Sequence, residues 1–390
     1  MISSKPIRVG FVIFPIHLLG LHNYLRNLLA AVTGLQGAPI TPVLFAGHKH
    51  RDTTHDFPGV LCIRSAMFDR KSPAWFLRKA VHRMTGRDLL LERLLLSHDI
   101  EILSHSVALG RGARVKTAGW IADLQHTRLP ELFTPQDRAS RDRIFGALCT
   151  CDRVIVSSEC GREDVAAFAP QAAAATRVLH FVASPASLAN AAALADLQQR
   201  YNFSGRFFLL PNQFWAHKNH RVVLEALALL KARGEEVLVL VTGSTAGSQE
   251  STQYASVMQL ATERGVLDSF RVLGVIPFSD LVGLMTHAVA LINPSLFEGW
   301  STSVEESKSM GKTILLSDIP VHREQAPPRG IYFAPHDAQA LADAIVVTRD
   351  GFTPDADEAA QAAARAEYPA RLRAFGNTYL AIMQDLANSR

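Results

Sequence analysis

Short apolar runs that alternate with helical patterns constrain this chain more than any other feature. Seven runs of strand length occur in its first half: 7–14, 40–45, 60–63, 100–104, 116–121, 153–156 and 177–182. Segments with helical apolar spacing separate most of them, notably 21–32, 73–97 and 159–169. Strands that alternate with helices predict a parallel sheet with helices on its faces, which is an α/β domain.

A second α/β series follows a stretch of different composition. Residues 183–205 are rich in Ala and Ser and contain Pro185 and Gly205, which is typical of a domain junction. Strands are predicted at 207–211, 236–242, 270–275, 288–293 and 313–316, and helices at 219–233, 249–264, 279–286, 303–310, 337–347 and 369–388. The predicted domains are therefore 1–185 and 206–368, joined by a linker at 186–205 and followed by a terminal helix at 369–390.

Composition excludes several classes of protein. The 390 residues are 48% hydrophobic and 19% charged, which favours a globular chain over a disordered one. Four cysteines without CxxC spacing indicate reduced thiols in a cytosolic protein. Pro15 and His17 interrupt the first apolar run, so we interpret it as a strand and not a signal peptide. A run of about 18 apolar residues, as a membrane-spanning helix needs, is not found.

Positive charge is concentrated in residues 64–93. This stretch has eight Lys/Arg against three acidic residues, a local charge of +5, whereas the whole chain carries +4. Trp75, Phe76 and Leu77 lie among these cations, a pattern that suits an anionic membrane surface. A solvated helix face with a buried aromatic residue explains the pattern equally well, and nucleic acid has no other support in the sequence.

Two glutamates dominate the strand–loop–helix–strand stretch at 288–320. Glu298 follows a buried strand, at the edge of a parallel sheet where ligands bind, and Glu306 lies in the next helix. Ser301, Thr302 and Ser303 offer N–H groups at the helix start, which suits an anion. A capping box, Thr302 with Glu305 or Ser303 with Glu306, explains the Ser/Thr–Glu pairs without any ligand.

Other candidate residues follow predicted strands. His126 comes after the strand at 116–121, and it either faces a crevice or caps a loop. Gln213 and Lys218 lie between a strand and a helix, where Lys218 could reach a phosphate or be an ordinary exposed lysine. GxSxG, HExxH, P-loop and Cys/His-cluster motifs are not found, so we predict no metal site and no hydrolase or kinase chemistry.

The segment EGWSTSVEE resembles the E-x7-E motif of the retaining glycosyltransferases of family 4, with Glu298 and Glu306 as its glutamates. Further segments are similar to that family: WIADLQH, DRVIVSSE, PNQFWAHKNH, LGVIPFSDLVGLM and SDIPVHREQ. The resemblance implies a GT-B fold, in which two Rossmann-like domains hold a sugar nucleotide in the cleft between them. It also implies that the first domain binds the acceptor and that the C-terminal helix crosses back to it.

The resemblance assigns roles to the loop and helix of this motif. Glu306 would bind the ribose hydroxyls, and Glu298 the hydroxyls of the donor sugar. Ser301 and Thr302 would present backbone N–H groups to the diphosphate. Gly299 and Trp300 lie in the same loop, and we assign them to the donor site as well.

The resemblance also assigns roles elsewhere in the chain. Lys218 would neutralise the departing diphosphate, His126 would lie near the reacting carbon, and Val275 within 274–276 would lie near the nucleobase. Gln213 replaces an arginine that is common in the family, so more of the diphosphate charge would depend on Lys218. Gly20 is the one glycine of a first loop that is usually richer in glycine.

The reaction implied is sugar transfer with retention, from a GDP-, UDP- or dTDP-sugar to a hydroxyl of a glycan or a polyprenyl or other lipid-linked acceptor. We expect a metal-independent hexosyltransferase without a cofactor, such as a mannosyltransferase of cell-surface polysaccharide or lipopolysaccharide assembly. It would act in the cytoplasm or on the inner face of the membrane. The alternatives are another GT-B enzyme, such as a sugar-nucleotide epimerase, and a degenerate binding protein without catalysis.

Overall fold

The computed structural model describes residues 5–13, 19–49, 57–184 and 191–389. The chain divides into two compact units. The first comprises Met1–Val182 with Ala370–Arg390, and the second comprises Ala183–Pro369. Within the described residues no helix is both long and apolar enough to cross a membrane.

A seven-stranded parallel sheet forms the centre of the first unit. Its strands are β1 (Ile7–Val12), β2 (Ile40–Ala46), β3 (Leu61–Arg64), β4 (Ile102–Ser104), β5 (Lys116–Ile121), β6 (Arg153–Val156) and β7 (Thr176–Val178), in the order β3-β2-β1-β4-β5-β6-β7. Every pair of neighbours is parallel. The central strands are largely apolar, as expected of a parallel sheet, and Phe45, Leu103 and Val154 are fully buried.

The described residues before the second unit form the α-helices α1 (Leu19–Thr33), α2 (Pro73–Thr85), α3 (Leu89–Leu96), α4 (Gln125–Arg128), α5 (Pro135–Leu148) and α6 (Glu159–Phe168). The segment predicted to be helical over 73–97 contains two helices, α2 and α3. Gly86 ends α2 in the left-handed conformation with φ 67°, and the Asp88 side chain caps α3 by accepting from the N–H of Leu91.

The second unit contains a six-stranded parallel sheet. Its strands are β8 (Phe208–Leu210), β9 (Val239–Thr242), β10 (Phe270–Gly274), β11 (Leu291–Asn293), β12 (Ile314–Ser317) and β13 (Gly330–Phe333), in the order β10-β9-β8-β11-β12-β13. The sequence interpretation located the first five and missed β13. Its helices are α7 (Leu194–Tyr201), α8 (His220–Ala232), α9 (Ser248–Glu263), α10 (Phe278–His287), α11 (Thr302–Met310), α12 (Pro320–Gln325) and α13 (Ala338–Gly351).

Helix α7 occupies part of the range that was interpreted as a linker. Leu197 is completely buried in the apolar core of the second unit. The Arg200 guanidinium pairs with the Asp280 carboxylate, and the Tyr201 hydroxyl donates to the same carboxylate over 2.5 Å. Residues 194–201 of this range therefore form a helix that packs within the second unit.

The last helix, α14 (Pro354–Asn388), has 35 residues and begins well before the predicted start at 369. Pro369 lies inside it, where the two units divide. Its C-terminal part belongs to the first unit. There the Tyr379 hydroxyl donates to Ser104 over 2.9 Å, and Asp385 pairs with Arg153 and Arg177.

Candidate functional site

The loops at the carboxyl edge of the second sheet bring most of the predicted site residues together. Strands β8 and β11 are neighbours at the centre of this sheet, and the chain adds strands outward from them in opposite directions. Such a point of reversal leaves a crevice between the two following loops, which is where open parallel sheets bind ligands. The loop after β8 contains Gln213 and Lys218, and the loop after β11 contains Glu298, Gly299 and Trp300.

Lys218 and Glu298 form an ion pair in this crevice. Lys218 Nζ lies 2.6 Å from Glu298 Oε1, and the two side chains are 13% and 9% exposed. Burial alone would raise the pKa of Glu298, but the charge and hydrogen bond of Lys218, together with His217 and His322, lower that pKa to about 2. Glu298 is therefore ionised at neutral pH.

Asn293, the last residue of β11, organises the loop that carries Glu298. Its Nδ2 donates to the hydroxyls of Ser301 (2.7 Å) and Ser303 (3.0 Å). Its Oδ1 accepts from both the N–H and the hydroxyl of Ser295. The Ser295 hydroxyl also lies 2.7 Å from Glu298 Oε1, so this buried amide links the loop carboxylate to the start of α11. A polar residue that ends an apolar strand is the sequence signal for Asn293, and the sequence interpretation missed it.

The start of α11 differs from the prediction. Ser301 is the N-cap residue, and its side chain makes no capping hydrogen bond. The predicted capping boxes are therefore wrong, since each placed the N-cap later in the chain, at Thr302 or Ser303. The Ser301 hydroxyl is instead held by Asn293.

The Gln325 side chain accepts a hydrogen bond from the backbone N–H of Ser301. Its Oε1 accepts from Ser301 N over 3.1 Å, and its Nε2 donates to Ser301 O (3.0 Å) and to Glu305 Oε1 (3.2 Å). The assignment of Ser301 N–H to a diphosphate stays a prediction, and in this structure that N–H donates to Gln325. The N–H groups of Thr302 and Ser303 belong to the first helical turn, where the intrahelical carbonyls cannot satisfy them. Gln325, at the end of α12, was not predicted.

The two consecutive glutamates of α11 have different surroundings. The Glu305 side chain is 1% exposed and pairs with Lys308. The Glu306 side chain is partly exposed, and within the described part of the chain no donor reaches its carboxylate. Removal from water raises the pKa of Glu306 to about 7. A desolvated carboxylate without a protein donor suits the binding of ligand hydroxyls.

Gln213 lies in the same crevice and joins two of its loops. Its Oε1 accepts from the N–H of Ser244 over 2.7 Å. The loops approach closely here, because a Cβ atom at Gly243 would lie 2.5 Å from the carbonyl oxygen of Asn212. Gln213 therefore positions the loop that follows β9.

The loops of this edge also carry the predicted residues Trp300 and Val275, together with Asn219, which was not predicted. Asn219 has a positive φ of 51°, and its side-chain amide donates to the carbonyls of Pro294 (3.1 Å) and Pro335 (2.8 Å). Trp300 is buried at 9% exposure, which fixes the loop after Glu298. Val275 follows β10 and is 75% exposed, so its assignment to the nucleobase stays a prediction.

His126 and Gly20 belong to the first unit. The His126 side chain is 1% exposed, and its Nε2 lies 3.0 Å from Asp142 Oδ1. Phe133, Phe145 and Phe168 surround the imidazole. The ring thus packs among side chains of its own unit, and its assignment to the donor sugar stays a prediction. Gly20 lies in the first turn of α1, and the loop residues 14–18 before it lie outside the described residues.

The part of the chain that contains this site is similar to known proteins. Residues 198–347 match a family model described as glycosyl transferases group 1. The O-antigen chain mannosyltransferase RfbU of Salmonella typhimurium is 27% identical over 140 residues, which is 36% of this chain and 37% of that protein. The match therefore spans little more than a third of the relative.

Solved structures resemble the whole chain. A glycosyltransferase from Rickettsia africae has a TM-score of 0.68 at 16% identity, and the match covers 99% of this chain and 100% of that one. HepE from Anabaena, in complex with UDP and glucose, has a TM-score of 0.67 at 17% identity and covers 97% of this chain and 100% of that one. The α/β fold with two parallel sheets is that of the GT-B glycosyltransferases, as the sequence predicted.

Proposed function

We propose that this chain is a retaining glycosyltransferase that moves a sugar from a nucleoside diphosphate sugar to a hydroxyl group. The observation that carries the proposal is the ion pair of Lys218 and Glu298, which stands beside the start of α11 at the point where the sheet order reverses. The family-model match includes this entire edge. HepE, which has the same fold, is described with UDP and glucose, which supports a nucleotide donor here.

Negative charge on the diphosphate determines how the residues would be used. Lys218 supplies a compact positive charge, and Thr302 and Ser303 supply N–H groups at the positive end of a helix. Gln213 adds no charge, and Ser301 N–H is held by Gln325. Lys218 is therefore the main cation assigned to the diphosphate. These preorganised groups stabilise the charge that develops on the leaving phosphate.

The two motif glutamates would hold the neutral parts of the donor. Glu306 accepts hydrogen bonds from the ribose hydroxyls, which offsets its loss of hydration. Glu298 is ionised and accepts from a hydroxyl of the donor sugar while it remains beside Lys218. It acts as a positioning group and not as a nucleophile.

Retention requires the acceptor to attack the face from which the diphosphate leaves. The bond between the anomeric carbon and the phosphate oxygen breaks, and a bond to the acceptor oxygen forms. The acceptor proton passes to the departing phosphate oxygen. This route needs no metal and no cofactor, because Lys218 and the N–H groups of α11 carry the compensating charge.

The acceptor class and the location follow from the relatives and not from the site. RfbU is described as an O-antigen chain mannosyltransferase, which favours a mannosyl donor and a lipid-linked or glycan acceptor of cell-surface polysaccharide assembly. We place the reaction in the cytoplasm, on the inner side of the cytoplasmic membrane. The role of His126 near the reacting carbon keeps only the resemblance as support, because its imidazole is enclosed.

Calorimetric titration with UDP, GDP and dTDP tests the donor site. One of them should bind to the wild type, and Glu306→Ala should weaken its binding by about tenfold or more. The matched control is Glu263→Ala on the exposed surface of α9. If the wild type binds none of the three nucleotides, the alternative of a degenerate protein without catalysis would be favoured instead. Turnover of the donor without any acceptor would identify an epimerase.

A further inference from the structure

The outer face of α2 carries a row of exposed apolar side chains. Phe76 is 57% exposed, Leu77 is 58% exposed and Met84 is 81% exposed. Pro73 and Ala80 are exposed between and beside them. Their spacing of three, four and seven residues places all five on one side of the helix. We call these five residues the α2 stripe.

The buried face of α2 shows that this exposure is not a local packing error. Ser72 caps the helix by accepting from Trp75 N, and Pro73 occupies the first turn. On the opposite side Arg78 is buried, and its guanidinium makes a two-pronged pair with the Asp88 carboxylate at 2.8–3.0 Å. The helix is therefore fixed in rotation, with its apolar stripe toward solvent.

Charge around the stripe has one sign. All three acidic residues of 64–93 are occupied: Asp69 accepts two backbone N–H groups, Asp88 pairs with Arg78, and Glu92 pairs with Arg87. Five cations of the same stretch are exposed, and none of them forms an ion pair with a described residue: Arg70, Lys71, Lys79, Arg83 and Arg93. The local positive charge is therefore presented to solvent and not neutralised within the unit.

We propose that the α2 stripe and its flanking cations dock this protein on an anionic lipid bilayer. Lys79 and Arg83 are four residues apart and run along one side of the stripe, so their ammonium and guanidinium groups can meet lipid phosphates while the stripe enters the acyl boundary. A second copy of the chain fits this surface poorly, because a two-fold pairing would bring the same cations together. The inference does not depend on the proposed reaction.

Vesicle flotation with the full chain tests this surface. The wild type should float with vesicles of phosphatidylglycerol and phosphatidylcholine, less so at high salt, and much less with phosphatidylcholine alone. The triple variant F76S/L77S/M84S should lower the partition coefficient by about tenfold or more, because its apolar area is lost. K79E/R83E should lower it at least as much, since each cation near the surface contributes about a fivefold factor.

Two matched controls alter exposed residues elsewhere. L267S/V347S removes apolar side chains that are 42% and 70% exposed in the second unit, and R138E/R143E reverses two exposed charges on α5. Both controls should float like the wild type, and circular dichroism with thermal melting should show all variants folded. Equal flotation of the stripe variants and the wild type would overturn the proposal. So would a wild type that stays in solution with anionic vesicles, including one that instead self-associates through this face.

Discussion

Lys218 Nζ and Glu298 Oε1 lie 2.6 Å apart although 80 residues separate them in the chain. The pair joins the loops after β8 and β11, and the Ser295 hydroxyl oxygen lies 2.7 Å from the same carboxylate oxygen. Two opposite charges at 13% and 9% exposure stabilise each other, because neither is well hydrated alone. A diphosphate that binds here shares Lys218 with Glu298, so the site is charged and preformed before the donor arrives.

Removal of one partner of this pair should affect both stability and activity. Lys218→Met leaves an ionised Glu298 without its cation, and we expect a loss of about 1–3 kcal/mol in the free energy of unfolding. The double variant K218M/E298Q should recover most of that stability, because no buried charge remains. Turnover should stay at least about tenfold below the wild type in both variants. Urea unfolding and donor kinetics measure the two effects, and a double variant less stable than K218M would contradict the coupling.

The same pair predicts a loss of stability in acid. The folded pKa of Glu298 is lowered to about 2, so its contribution is fully present above its unfolded pKa of about 4.3 and is lost as pH falls toward 2. Urea unfolding between pH 6 and pH 3 should therefore show a smaller pH dependence in K218M/E298Q than in the wild type. Identical slopes would mean that Glu298 is not ionised at an unusually low pKa.

The raised pKa of Glu306 predicts the opposite dependence of stability on pH. Its folded pKa is raised to about 7, so the folded protein loses stability as pH rises from the unfolded pKa of about 4.3 to 7, where only the unfolded chain is ionised. Glu306→Gln should therefore be more stable than the wild type at pH 8, and this difference should shrink at pH 5. Thermal melting at the two pH values measures it.

Glu306→Gln should also weaken the binding of the nucleotide donor by about tenfold at pH 8, because a neutral amide is a poorer acceptor for ribose hydroxyls. A variant that gains stability but keeps full affinity would remove Glu306 from the donor site.

Gln325 is expected to position the start of α11. It is 2% exposed and joins Ser301 to Glu305 through three hydrogen bonds. Gln325→Leu should cost about 1–3 kcal/mol in the free energy of unfolding, since buried polar groups lose their partners. Affinity for the nucleoside diphosphate should fall, whereas affinity for the nucleoside should change little. Gln339→Leu, at an exposed position of α13, is the control and should alter neither quantity.

Gln213 stands where the resembling family commonly has an arginine, and this exchange can be tested in the other direction. Gln213→Arg adds a cation beside the proposed diphosphate position, so we expect tighter binding of the nucleoside diphosphate and unchanged binding of the nucleoside. It also removes the acceptor for Ser244 N–H, at about 1 kcal/mol of stability. In this background Lys218→Ala should cost less affinity than in the wild type. An unchanged cost would show that the two positions do not share one anion.

The two sheets could be predicted from the sequence because strands covered on both faces are largely apolar. Runs such as 116–121 and 153–156 coincide with β5 and β6 for this reason. The proximity of Lys218 and Glu298 could also be predicted, since the loops that follow parallel strands lie at the same edge of the sheet. The helical spacing over 73–97 did not indicate where the segment divides, which the structure places at Gly86, in the left-handed conformation at the end of α2.

Only the tertiary structure decided which polar groups are available. Ser301 N–H is taken by Gln325, which comes 24 residues later. Glu305 turns inward to Lys308, whereas the adjacent Glu306 is left without a described donor. Composition and spacing constrain where strands and helices form, because buried side chains recur at the period of each element, every second residue in a strand and about every 3.6 residues in a helix. The partner of a single amide or carboxylate depends on side chains that distant elements bring within hydrogen-bond distance, and no local pattern encodes that meeting.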